Sequence, residues 1–112
     1  MRGRLELTGA RLAALLDDVR ATCQAGQRVA PSTGEDLPGG RGGLLLDAHR
    51  ALARGATLAA QAGETVMIAV VTLRSQHPDE AVRLADAAAR TVDQVADQVR
   101  RAGELVRSAE QH

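Results

Sequence analysis

The chain has 112 residues with 14 basic and 14 acidic side chains, so its formal net charge is zero. It has no Phe, Tyr or Trp, no Lys or Asn, and every basic residue counted is Arg. A neutral chain without a basic stripe or stacking aromatics lacks the features of a nucleic-acid binder, and no nucleic-acid partner is expected. The length fits one domain with a thin core, and without aromatics that core must be built from Leu, Val and Ala. The bias toward Ala, Gly, Arg, Val, Leu and Asp is the one a GC-rich genome imposes.

The opening "MRGRLELTGARL" has no apolar core of a cleavable signal peptide. The alternation in "RLEL" suggests a short extended lead-in. A first helix is expected over residues 8–24, with Thr8 as its N-cap. Leu12, Leu15, Leu16, Val19 and Cys23 recur at helical spacing along it. Cys23 has no neighbouring His or cationic cluster to activate it, so packing is its expected role. A single cysteine forms no internal disulfide, which fits a reducing compartment or a secreted protein that needs no bridge.

Residues 25–43, "AGQRVAPSTGEDLPGGRGG", are dense in Gly and Pro and read as a loop. The "PGGRGG" element could offer backbone N–H groups to an anion. It lacks the Lys-Ser/Thr ending of a phosphate-binding loop, and a flexible hinge is the expected reading.

A second helix is expected over residues 43–75. Leu45, Ala48, Leu52, Gly55, Ala59, Ala62, Val66, Ala69 and Leu73 keep an unbroken three-four spacing. A second row holds Asp47, Arg50, Arg54, Thr57, Gln61, Glu64, Ile68 and Val71. It is polar or charged through Glu64 and apolar at Ile68 and Val71. The run "VMIAVV", Val66 to Val71, is therefore where the helix loses its solvated face. The same run could form a buried strand over residues 65–73. The continuous seam and the lack of partner strands favour helix. Six unbroken apolar residues fall far short of the roughly 20 that cross a bilayer, so no membrane span is expected.

"SQHPDE" then reads as a tight turn, with Ser75 or His77 near a helix cap. Pro78 followed by Asp79 and Glu80 is a strong helix start. The third helix, residues 78–110, carries the seam Ala81, Ala85, Ala88, Val92, Val95, Val99, Ala102, Val106 and Ala109. Asp86–Arg90 and Asp97–Arg101 stand at i,i+4 on its outer side. Asp17–Asp18, Asp93 and Asp97 read as solvated helix charges.

The expected fold is all-α, a single helical domain over residues 1–112. It comprises a short N-terminal helix and a long antiparallel helical hairpin, completed as a bundle by self-association. If the 25–43 loop is extended, the first helix can instead cap the turn end of the hairpin; if it is compact, a first helix confined to 8–24 reaches only the middle of the second helix. The apolar end, Val66, Met67, Ile68, Val70 and Val71, would then stay bare and serve as an interface.

Little points to chemistry. No HxxxH, ExxH or CxxC spacing occurs, and His77 and His112 lie at a turn and a terminus, so no metal or cofactor is expected. His49, in "LLLDAHRALARG", is similar to the phospho-acceptor His of phosphotransfer bundles, although Arg54 and Gly55 fall two residues late. A helix-flank role is the commoner one for such a residue.

The Ala-rich, actinobacterial-like composition, two long helical seams and the Gly-Gly element "PGGRGG" resemble the small helical-hairpin substrates of type VII secretion. The opening "LELTGARLAALLDDV" resembles the start of some of their relatives. In that family a Trp-x-Gly turn joins the helices and a Tyr-containing signal directs export; this chain has neither Trp nor Tyr. The resemblance implies a secreted or co-secreted dimer without a cleavable signal peptide. The sequence by itself suggests a cytoplasmic, non-enzymatic interaction module. Its expected partner is another copy or a helical protein.

Overall fold

The computed structural model describes residues 2–33 and 39–111, with the side chains of Arg2, 30–33 and 39–41 outside that description. It contains three α-helices, α1 (Arg2–Thr33), α2 (Gly39–Arg74) and α3 (Pro78–Glu110), and no strand among the described residues. The 65–73 segment is helical throughout. The whole is a rod of 58 × 18 × 16 Å.

Three apolar clusters are strung along the rod, and they define the helix directions. At one end Val29 of α1 packs with Ala48, Ala51 and Leu52 of α2 and with Ala102, Val106 and Ala109 of α3. In the middle Leu12, Leu15 and Val19 lie against Ala59, Val95 and Val99. At the far end Leu5 meets Ala69 and Ala85. Helices α1 and α3 thus run in the same direction and α2 runs against both.

All nine seam positions of α3 are buried. Val92 and Val95 are the largest side chains fully removed from solvent. Ten of the 17 buried apolar residues among those described are alanine, so the helices are held by close approach rather than bulky packing. Gly55 illustrates this, since a Cβ there would lie 3.4 Å from Gln98 Cβ on α3.

The first helix differs most from expectation. It spans 32 residues, well past both ends of the expected 8–24 segment, and the predicted 25–43 loop shrinks from both sides. Helix α1 continues through Ala25 to Thr33, and Gly39–Gly43 already belong to α2; residues 34–38 lie outside the described residues. The cause is tertiary. Leu5, Thr8, Leu12, Leu15, Val19, Thr22, Gly26 and Val29 form one three-four seam against α2 and α3. Burial of Leu5 and Val29 at its ends outweighs the local signals of "RLEL" and of the glycines. At about 1.5 Å per residue the helix is about 48 Å long and reaches the turn between α2 and α3, which removes the supposed limit on its reach.

Thr8 is correspondingly not a cap. It is buried inside α1, with its hydroxyl donating to the Arg4 carbonyl at 3.0 Å. Two carboxylates read as surface charges of α3 bind across to α1: Arg4 pairs with Asp86 and Arg11 with Asp93. The equal seven-residue spacing on both helices follows from their shared direction. Asp97 pairs with Arg100 at 3.5 Å, not with Arg101 as the i,i+4 spacing suggests.

The turn between α2 and α3 is built from backbone. The Gln76 N–H donates to Leu73 O and the His77 N–H to Thr72 O, each at 3.1 Å. Gln76 has φ 64°, the left-handed conformation that closes a Schellman motif. His77 stands at the N-cap of α3 with no side-chain cap bond, and Pro78 follows at the helix start. The Ser75 hydroxyl bonds back to Val71 O at 2.9 Å, so neither expected side chain caps α3. Glu80 accepts from Arg83 in the first turn and raises that guanidinium's pKa.

Candidate interaction surface

Because α1 and α3 both pack on one side of α2, the opposite side of α2 meets neither of them. Leu46, Arg50, Ala53, Thr57, Ala60, Gln61, Glu64, Met67, Ile68 and Val71 all lie exposed along it. Its apolar weight is at the turn end, where Met67 is 71%, Ile68 54% and Val71 62% exposed. Leu46, 49% exposed, is the bulky apolar residue toward the other end.

The five residues expected as an interface divide between two environments. Val66 and Val70 are half-buried beside Leu5, Ala69 and Ala85. Met67, Ile68 and Val71 face away from the chain's own core. The sequence reading expects this patch to be bare because α1 is too short. The physical reason is instead orientation: α1 reaches this end of the rod but covers only the Val66–Val70 edge. Leu7, 74% exposed on α1, is a further bulky apolar residue in solvent, and no periodic signal marked it.

By length and composition α2 over Gly42–Arg74 is also long and apolar enough to cross a membrane, although its unbroken apolar run is only six residues. The reason is that Glu64 is the only charge between Arg54 and Arg74. Only 17% of its most apolar window is buried within the chain. This is a helix with apolar surface to spare.

The candidate chemical residues lie elsewhere. Cys23 is exposed, not packed in the core as expected. Helix α1 is rotated so that Val19, Thr22 and Gly26 face inward, which leaves Cys23 at the rim. It lines a groove of about 260 Å³ with Gly26, Leu45, Ala48, His49 and Leu52. His49 is exposed on the α2 side of this groove. The fold therefore brings to one cavity a thiol from α1 and an imidazole from α2, a proximity that sequence-local inspection misses. Among the described residues no group of three or more His, Cys, Asp or Glu side chains could hold a metal ion. His112 lies outside them. Gln98 Oε1 is buried without a hydrogen-bond partner among the described residues.

No family model matches this chain, and no curated protein or solved structure matches it.

Proposed function

We propose that this protein is a non-enzymatic helical interaction module that works as an oligomer. Its helices α2 and α3 form an antiparallel hairpin backed by α1, and a second copy completes the bundle on the outer face of α2. The carrying observation is the exposed cluster Met67, Ile68 and Val71 on a helix whose other side already holds the core. Solvent exposure of three bulky apolar residues within two turns is unfavourable, at about 25 cal/mol per Å² of apolar area left in water. The Ala-rich core supports the same reading, because a small buried area leaves a lone chain marginally stable.

Light scattering tests the proposal. The native chain is expected to weigh as an oligomer at micromolar concentration. Val71→Arg places a charge in the patch without touching the core and is expected to yield monomers of unchanged helicity. A native chain that stays monomeric at high concentration overturns the proposal.

A phosphotransfer role for His49 has one supporting observation, the exposure of its ring on a helical bundle. Incubation with acetyl phosphate, with His49→Gln as control, separates this role from the first. Label retained in the variant excludes it.

A further inference from the structure

The outer face of α2 is symmetric in position about Thr57. Ala53 and Gln61 lie four residues to either side, Arg50 and Glu64 seven, and Leu46 and Ile68 eleven. Offsets of four, seven and eleven keep all of them on one stripe of an α-helix. Every one of these residues is exposed. At offset seven the stripe is antisymmetric in charge, Arg50 against Glu64, while Arg54 and Asp47 beside it are matched by the uncharged Ala60 and Met67. A branched apolar residue stands at each outer position, whereas at offset four the short Ala53 is matched by the longer Gln61.

We infer that two copies pair antiparallel along this stripe, with the two-fold axis passing at Thr57. The inference rests on the oligomeric reading above and specifies its geometry. In a parallel pair Glu64 would face the partner's Glu64 and Arg50 the partner's Arg50, placing like charges together twice. In the antiparallel pair each Glu64 faces the partner's Arg50, about 10 Å to either side of the axis. Each Ile68 then faces the partner's Leu46, with Val71 extending the apolar contact outward and Met67 flanking it. Near the axis Ala53 and Thr57 are short enough for close helix approach. The Thr57 hydroxyl already donates to Ala53 O at 3.2 Å, so it brings no unsatisfied donor into the contact. Within one chain Arg50 pairs with Asp47 at 3.7 Å on the surface, a weak pairing that is readily exchanged.

Charge reversal and cross-linking test this geometry. Glu64→Arg alone and Arg50→Glu alone are each expected to weaken the dimer about tenfold or more. The double variant restores opposite charges across the axis and is expected to return to within about threefold of the native affinity. In a Cys23→Ser background, Thr57→Cys is expected to form a disulfide-linked dimer on mild oxidation. Glu64→Cys alone is expected not to do so, whereas a mixture of Glu64→Cys and Arg50→Cys chains cross-links. Self-linking of Glu64→Cys, or a double reversal that is no better than either single one, overturns the antiparallel geometry. A dimer broken by Val71→Arg but linked at other positions overturns this register and leaves the oligomeric reading intact. A chain that is monomeric throughout overturns both. Flotation with phosphatidylcholine–phosphatidylglycerol vesicles, in place of dimerisation in buffer, would assign the face to lipid and overturn the proposal.

Discussion

Among the described residues Gln76 is the one non-glycine residue with a positive φ. Its φ of 64° closes the turn from α2 to α3, where glycine is the usual occupant. Gln76→Gly is expected to stabilise the fold by roughly 0.5–1 kcal/mol, measured as a shift of the urea midpoint. The turn's place was legible from Pro78 with Asp79 and Glu80, because those residues act through local backbone chemistry. The left-handed residue was not legible, since Gln carries no signal for it. Cys23 makes the complementary point. Its spacing from Leu12, Leu15 and Val19 suggested burial, yet the rotation of α1 is set by Leu5 and Val29 at its ends, and the thiol is exposed. It is expected to react with a thiol reagent in the native state at close to the rate of the unfolded chain. Protection by several orders of magnitude would show that the thiol is covered. The candidate site was only partly readable at this scale. Met67, Ile68 and Val71 were visible as a loss of polarity along one row, whereas the Cys23–His49 groove depends on packing between distant segments.

At the scale of the element, the three helices differ in how strongly their sequences specify them. The seam of α3 is apolar at all nine positions and all nine are buried, so its face could be read directly. The seam of α1 holds Thr8, Thr22 and Gly26 among its apolar positions, and its ends lie in segments that imitate strand and loop. Tertiary contact extends that helix beyond Thr8 at one end and Gln24 at the other, so that it runs from Arg2 to Thr33. Leu5 is the anchor at the turn end, and Leu5→Ala is expected to cost about 2–3 kcal/mol by leaving Ala69 and Ala85 uncovered. Native-state hydrogen exchange should show the loss concentrated in the first turns of α1; uniform loss along the rod would argue that this anchor is not local. In α3, Val95→Ala removes methyl groups from a fully buried site and is expected to cost about 2 kcal/mol in chemical denaturation.

The whole molecule is a slender rod whose core is largely alanine, with one helix whose outer side is polar along most of its length and apolar near the turn. Its inward side packs against α1 and α3, and its outward side leaves Met67, Ile68 and Val71 exposed. Sequence periodicity identified both sides of α2, because the seam and the second row have the same spacing and differ only in polarity. It did not give the arrangement of α1, which decides that Val66 and Val70 are the chain's own contacts while Met67, Ile68 and Val71 are not. The proposed self-association would make stability depend on concentration, so the thermal midpoint of the native chain is expected to rise with protein concentration. The most direct measurement is sedimentation equilibrium of the native chain and Val71→Arg over a hundredfold range of concentration. The proposed interface predicts a reversible dimer for the native chain and a monomer for the variant, with the same circular dichroism. A native chain sedimenting at 11.7 kDa across the whole range would contradict it.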